Sequence, residues 1–140
     1  MVVILAVLEQ RDGALRKVSQ EVVSAARRLG DALGASVDAL VCSSGPVTGA
    51  GDLGRFGADR VLSAVHADFK LYHPDGNTAA VVEAGRSAVA IVFAATATGR
   101  DLAPRVAAKL GAGLATDVTE IGVEGGKVVV TRPVYGGKAL

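Results

Sequence analysis

Residues 2–8 read VVILAVL, an unbroken run of β-branched and aliphatic side chains. Such a run is typical of a strand that is buried on both faces of a parallel sheet. A second apolar run covers residues 37–42, and a helical pattern lies between the two. The apolar positions of that helix are Val22, Ala25, Ala26, Leu29 and Leu33, and Gly34 suits the position after its end. Strand, helix and strand in this order predict a right-handed parallel crossover.

The alternation of strands and helices continues along the chain. Further predicted elements are a short helix at residues 50–56, closed by Gly57, and strands at residues 60–62 and 89–95. Residues 64–76 are predicted to form a loop that ends in the turn Pro74-Asp75-Gly76. Asp12-Gly13 predicts a tight turn after the first strand.

Small polar residues mark the predicted helix starts, because their side chains can accept free backbone N–H groups. The predicted N-caps are Ser19 for the first helix, Asn77 or Thr78 for the second and Asp101 for the third. We expect the second helix to end near Ser87 and the third at Gly111. Pro104 would then fall in the first turn of the third helix, where proline is tolerated.

The last part of the chain has a different pattern. Residues 118–123 and 127–135 are strand-like and flank Gly125-Gly126, which predicts a C-terminal antiparallel hairpin. The whole pattern predicts a single α/β domain over residues 1–140, with three layers and a doubly wound, mostly parallel, Rossmann-like sheet.

Composition excludes several classes of protein. The chain has 140 residues, with 15 basic and 14 acidic side chains, so no basic field exists to attract nucleic acid or a membrane surface. Cys42 is the one cysteine, which excludes an intrachain disulfide. The longest apolar run, residues 1–8, is too short to span a bilayer. We therefore expect a soluble intracellular protein without direct membrane insertion.

The glycines Gly49, Gly51 and Gly54 match the spacing G-x-G-x-x-G, which in dinucleotide-binding folds lets the backbone approach a pyrophosphate. Here the motif follows the second strand instead of the first, and Asp52 would place a negative charge beside the phosphates. These features favour a glycine-rich loop over a nucleotide site.

A second candidate site follows the strand at residues 89–95. Thr96, Thr98, Gly99 and Arg100 offer two hydroxyls, a flexible backbone and a cation at the carboxyl edge of the sheet, where open α/β folds bind ligands. If Asp101 caps the helix, however, it occupies the N–H groups that an anion would need. We favour a structural or subunit-contact role, with small-molecule binding as the alternative.

Two histidine–carboxylate pairs raise the question of a metal site. His66 with Asp68, and His73 with Asp75, carry suitable ligand types, but their predicted loop position favours ordinary exposed polar residues. Cys42 is interpreted as a small core residue, and no side chain is identified as its base partner. We predict no metal site and no catalytic residue.

Residues 132–138 form the last candidate. Pro133 lacks the N–H that a strand ladder needs, so the strand lies at an edge or ends there. Arg132 and Tyr135 belong to residue types that often anchor interfaces. We predict a contact with another domain or subunit, to which Lys138 also belongs.

Several segments together resemble a known family, the N-terminal domain of the alpha subunit of electron transfer flavoprotein. The matching segments are residues 15–19, 57–62, 96–105, 110–114 with 116–118, and 132–139. The resemblance covers essentially the whole chain, and the segment from Thr98 to Asp117 is its most specific part.

The resemblance implies an adenine-nucleotide-hydrolase-like fold and a place in an alpha–beta heterodimer with one FAD. The heterodimer carries electrons from flavin dehydrogenases, such as acyl-CoA dehydrogenases, to a membrane quinone oxidoreductase. In the family, FAD is held mainly by the alpha subunit's own C-terminal domain, and AMP by the beta subunit. That domain would begin after Lys138, so the resemblance implies no cofactor-binding residue in this chain.

The implied role is a scaffold, not an enzyme: the domain docks the beta subunit and supports the FAD domain. The expected contact residues are Arg100, Arg132, Pro133, Tyr135 and Lys138. A bacterial member would be cytoplasmic, whereas eukaryotic relatives lie in the mitochondrial matrix. The alternative is a free-standing module that binds AMP or ATP through its 49–54 or 96–100 loop.

Overall fold

The computed structural model describes residues 2–111 and, beyond them, strands at 120–124, 127–131, 134–135 and 138–139. The elements are β1 (Val3–Val7), β2 (Gln10–Arg11), β3 (Ala14–Leu15), α1 (Val18–Leu33), β4 (Ser36–Ser43), a 3₁₀ helix (Ala50–Phe56), β5 (Arg60–Val65), a second 3₁₀ helix (Ala67–Lys70), α2 (Pro74–Gly85), β6 (Ala90–Val92), α3 (Ala97–Leu110), β7 (Glu120–Glu124), β8 (Lys127–Thr131), β9 (Val134–Tyr135) and β10 (Lys138–Ala139).

The central sheet has the strand order β5-β4-β1-β6, and all four strands are parallel. Ile4 on β1 lies opposite Val37 on β4 and Ala90 on β6. The first two crossovers move outward to β4 and β5, and the third returns through α2 to the other side of β1. The order of the sheet therefore reverses between β1 and β6, and the crevice at the carboxyl ends of these two strands is a topological switch point.

Helices cover both faces of the sheet and give the predicted three layers. Alternate residues of β1 point to opposite faces, and both Ile4 and Leu5 have no exposed surface. Ile4 belongs to the cluster that packs under α1, whereas Leu5 belongs to the cluster under α2 and α3. Full burial of one such side chain stabilises the fold by about 1.5–3 kcal/mol. The α/β, mostly parallel, Rossmann-like fold is confirmed.

The glycine signals for turns and helix ends are confirmed. Gly34 and Gly111 follow α1 and α3 in the left-handed conformation, with φ of 67° and 65°. Gly57 ends the first 3₁₀ helix with φ 114°. Asp12 and Gly13 have φ of 53° and 81° and join the short antiparallel strands β2 and β3. Glycine pays no Cβ penalty in this conformation, which makes such positions readable in a sequence.

The predicted N-cap of α1 was wrong. The helix starts at Val18 after Lys17, and no side chain caps it. The Ser19 hydroxyl is fully buried and bonds the backbone of Glu9 instead: it accepts from the Glu9 N–H and donates to the Glu9 C=O, both at 3.0 Å. The Ser19 hydroxyl, which the local sequence pattern predicted as the cap of α1, forms a tertiary contact with Glu9 instead.

The predicted loop at residues 64–76 and the cap at Asn77 or Thr78 were also wrong. Strand β5 continues to Val65, a 3₁₀ helix follows, and α2 begins at Pro74 and ends at Gly85. Its cap is His73, whose Nδ1 accepts from the Gly76 N–H at 2.8 Å. Proline at the first helical position was the available signal for this start.

Helix α3 also starts earlier in the sequence than predicted. The helix begins at Ala97, and its cap is Thr96, whose hydroxyl accepts from the Gly99 N–H at 3.1 Å. Asp101 is therefore inside the helix and does not cap it, and Pro104 lies in the helix interior instead of the first turn. Strand β6 is shorter than predicted and spans only Ala90–Val92.

The C-terminal part forms separate two-stranded ladders. Strands β7 and β8 pair antiparallel, with Glu120 opposite Thr131, and β9 pairs antiparallel with β10. Gly125 and Gly126 lie outside the described residues, so the hairpin that they would close stays a prediction. Among the helices of the described residues, none is long and apolar enough to cross a membrane.

Candidate functional site

A cavity of about 180 Å³ opens at the carboxyl edge of the sheet. The chain that leaves β1, from Leu8 to Asp12, forms one wall together with Arg16. The segment from Phe69 to Tyr72 forms a second wall, and Phe93, Thr98 and Gly99 line the side towards α3. The cavity therefore lies at the switch point, where open α/β sheets bind their ligands.

The carboxylate of Glu9 occupies a central position beside this cavity. Its Oε1 accepts from Arg16 Nη1 at 2.7 Å, and its Oε2 accepts from the Thr96 hydroxyl at 2.5 Å. The Glu9 side chain is only 10% exposed. Both carboxylate oxygens are thus paired, which a charged group needs when it leaves water.

The first turn of α3 lies very close to the end of β6. A Cβ added to Gly99 would overlap the carbonyl oxygen of Ala94. Glycine at this position therefore allows the helix to approach the strand end. The Thr96 hydroxyl takes part in two hydrogen bonds here. It caps Gly99 and donates to Glu9 across the switch point.

The two candidate loops have different places in the fold. Thr96, Thr98 and Gly99 lie together at the cavity and beside Glu9, whereas Arg100 is exposed on the first turn of α3. Gly49, Gly51 and Gly54 lie in and before the 3₁₀ helix that leads from β4 to β5. None of these three glycines is among the residues that line the described cavity. The G-x-G-x-x-G motif is thus separate from the switch point.

A hydrogen-bonded group at the rim was not found from the sequence. The Tyr72 hydroxyl donates to Asp101 Oδ2 at 2.7 Å, and Arg105 Nε donates to the same oxygen at 3.1 Å. The Tyr72 bond, followed by the Arg105 bond, lowers the pKa of Asp101. Tyr72 and Asp101 are 29 residues apart, so only the spacing of Asp101 and Arg105 on one helix face was available as a signal.

Cys42 lies at the cavity near the end of β4, half-buried. Burial raises the pKa of its thiol to about 11. A thiol with such a pKa stays protonated at neutral pH, and the protonated form is a poor nucleophile. The environment of Cys42 is that of a packed residue, as its sequence position suggested.

The histidines of the two possible metal pairs act as local caps. His66 Nδ1 accepts from the Asp68 N–H at 3.0 Å, in the same way that His73 accepts from Gly76. Over the part of the chain that the structure describes, no three His, Cys, Asp or Glu side chains gather as metal ligands. The ring nitrogens thus accept hydrogen bonds from backbone N–H groups at the starts of the second 3₁₀ helix and of α2.

The predicted interface segment is only partly described. Tyr135 lies opposite Lys138 in the antiparallel pair of β9 and β10. Arg132 and Pro133 lie outside the described residues. The contacts of this segment with another domain or subunit stay a prediction.

Comparisons with known proteins give a consistent result. A family model described as the electron transfer flavoprotein domain matches residues 4–140. Protein FixB of Clostridium saccharobutylicum is 43% identical over 136 residues, which are 94% of this chain and 40% of that protein. The electron transfer flavoprotein subunit alpha of Bacillus subtilis is 38% identical over 137 residues, which are 94% of this chain and 41% of that protein.

A differently named relative extends the set. The acryloyl-CoA reductase electron transfer subunit beta of Anaerotignum propionicum is 32% identical over 123 residues, which are 86% of this chain and 34% of that protein. The chain spans about two fifths of the length of the curated relatives that it matches first. The resemblance to electron transfer flavoprotein alpha subunits is confirmed, and because the family model covers residues 4–140, the chain belongs to the electron transfer flavoprotein domain family.

Proposed function

We propose that this chain is the scaffold domain of an electron transfer flavoprotein alpha subunit, which docks the beta subunit and supports a separate FAD domain. The match over residues 4–140 carries the proposal, because it ties the domain to alpha subunits. In this proposal the assembled flavoprotein takes electrons from flavin dehydrogenases and passes them to a quinone oxidoreductase. The domain itself contributes binding surface, and it acts in the cytoplasm.

The size of the cavity supports an FAD site outside these residues. Pockets that enclose drug-sized ligands measure about 300–1,000 Å³, whereas the cavity at the switch point measures about 180 Å³. FAD is larger than most such ligands, so this cavity is too small to enclose it. In our proposal FAD belongs to the C-terminal domain of the alpha subunit, and AMP belongs to the beta subunit.

The character of the side chains at the switch point also supports a scaffold. Arg16 and Thr96 both donate to Glu9, and burial raises the pKa of the Cys42 thiol, which favours its protonated form. Paired groups of this kind connect β1 with the approach to α1 and with the start of α3. They stabilise the edge of the sheet beside which Arg100 would contact a partner.

The test measures binding of the purified chain to a beta subunit from the same organism. We expect a one-to-one complex that survives gel filtration, with a dissociation constant on the order of 1 μM or below. Arg100→Ala and Arg132→Ala should weaken the complex at least tenfold. Arg86→Ala is the matched control, because Arg86 is exposed after α2 and pairs only weakly, at 3.3 Å, with Glu83.

Calorimetric titration distinguishes this function from the alternative. The scaffold proposal expects no saturable heat with FAD or with AMP. Saturable binding of AMP or ATP would favour the free-standing nucleotide module, for which the position of the cavity at the switch point is the supporting observation. Stoichiometric binding of FAD, or no complex with the beta subunit, would contradict the scaffold proposal.

A further inference from the structure

The switch point of this sheet contains a charged side chain, Glu9, whose position also bears on what the crevice can bind. Glu9 follows β1 by two residues, and Thr96 precedes α3 on the far side of the crevice. The Glu9 carboxylate spans the gap between Arg16 and Thr96, although Glu9 and Thr96 are 87 residues apart in sequence. A carboxylate with 10% of its side-chain surface exposed here has given up most of its water.

The groups around the carboxylate are those that bind anions. The Arg16 guanidinium is a permanent cation with several donors, and it reaches Oε1 at 2.7 Å. The Thr96 hydroxyl donates to Oε2 at the start of α3, where the helix dipole also favours negative charge. Ligand phosphates bind at such positions in open α/β folds. The Glu9 carboxylate thus lies at the position where a ligand phosphate would accept hydrogen bonds from the same donors.

The charges of the cavity depend on this one side chain. Arg11, Arg16 and Lys70 line the cavity and contribute three positive charges, and Glu9 and Asp12 contribute two negative charges. These five side chains sum to a charge of +1, and the Glu9 carboxylate lies among the donors that a phosphate would use. Replacing Glu9 with an uncharged residue would raise this sum to +2 and would leave the Arg16 guanidinium without its carboxylate partner.

We propose that Glu9 is a built-in anion that excludes phosphates and phosphate-bearing ligands, such as nucleotides, from the switch point of this domain. Glu9 is then a specificity-determining residue: its carboxylate satisfies Arg16 and Thr96, and the cavity stays closed to anions. The proposal holds whether or not the domain docks a beta subunit, because it concerns only what the crevice can bind.

The test titrates inorganic phosphate and AMP into the wild-type protein and into two variants, Glu9→Gln and Glu9→Ala. Glu9→Gln keeps the shape and the acceptor oxygen but removes the charge, whereas Glu9→Ala also frees the space. We expect binding of either probe to strengthen at least tenfold in Glu9→Ala, and to a smaller degree in Glu9→Gln. The gain should disappear in Glu9→Ala/Arg16→Gln, which lacks the cation.

Glu83→Gln is the control for a change in net charge, because Glu83 is exposed and has the same charge as Glu9. A gain of equal size in Glu83→Gln would overturn the proposal, and so would folded Glu9 variants that bind no better than wild type. The wild-type protein alone also tests the proposal, by an NMR titration. Its backbone amide resonances at residues 96–99 should not shift with millimolar phosphate. A saturable shift there would also overturn the proposal.

Discussion

Arg27 Nη1 on α1 lies 2.9 Å from Oδ2 of Asp59, which precedes β5. The same carboxylate oxygen accepts from the Val37 N–H at 2.7 Å, at the start of β4. Arg27 also donates to the carbonyl of Ala35 at 2.9 Å and to Asp31 at 2.9 Å. Arg27 and Asp59 thus join the second half of α1 to two neighbouring strands, at the sheet edge opposite the cavity.

Asp59 should make the stability of the domain depend on acid pH. The Val37 N–H is the largest cause that lowers the pKa of Asp59 below its usual 3.8, and Arg27 adds to it. A lowered folded-state pKa contributes stability above the unfolded pKa, and this is lost as pH falls through the folded value. We expect Asp59→Asn to flatten the loss of stability as pH falls below about 4 in urea titrations.

Asp31→Asn is the matched control for Asp59→Asn, since it removes a carboxylate from beside the same guanidinium on an exposed helix surface. The acid slope should stay as in the wild type for this variant. An unchanged slope in Asp59→Asn would contradict the role assigned to the Val37 bond. Because about half of the Asp59 side chain is exposed, salt should reduce the whole effect.

Gly99→Ala should destabilise the domain. The new methyl group would overlap the Ala94 carbonyl oxygen, so the first turn of α3 must move away from the end of β6. Overpacking of this kind costs about 1–3 kcal/mol of unfolding free energy. Gly54→Ala is the control, because a Cβ at Gly54 meets nothing within 4 Å. Its unfolding free energy in urea should stay within about 0.5 kcal/mol of wild type.

The sheet was predictable because its apolar runs are long and unbroken. The runs at residues 2–8 and 37–42 became β1 and β4, the two central strands of the sheet. Helix ends were predictable because Gly34 and Gly111 carry a conformational signal of their own. The apolar runs and the glycines at helix ends depend only on neighbouring residues, so one amino-acid sequence is enough to recognise them.

Helix starts were predicted less well, for a physical reason. Ser19, His73 and Thr96 each have a side chain that can cap, but which one does so depends on the direction from which the chain enters the helix. Ser19 bonds Glu9 instead, α2 starts four or five residues earlier than predicted, and α3 starts five residues earlier. The pair of Glu9 and Thr96 depends further on the strand order, which brings the ends of β1 and β6 together.

Ser19→Ala should lower stability although it removes only one buried oxygen. The Ser19 hydroxyl is bonded to both the N–H and the C=O of Glu9, and Ser19 has no exposed surface. Loss of the hydroxyl leaves the Glu9 N–H unpaired, at a cost of about 1–3 kcal/mol, whereas the Glu9 C=O still accepts from the Arg16 N–H at 2.9 Å. Ser24→Ala, a half-buried serine on the same helix, should change the unfolding free energy by less than about 0.5 kcal/mol. Equal effects of the two substitutions would contradict this account.

The Cys42 thiol should react slowly in the folded protein. Burial raises its pKa from 9.0 to about 11, so at pH 8 the thiolate fraction falls about a hundredfold. Alkylation by iodoacetamide, followed by mass spectrometry, should therefore be about a hundred times slower in buffer than in denaturing urea. Cys42 is the one cysteine, so Cys42→Ser should abolish labelling in both conditions. Equal rates in buffer and urea would show that the thiol is accessible and that its pKa is not raised, and would contradict a packed role for Cys42 beside the cavity.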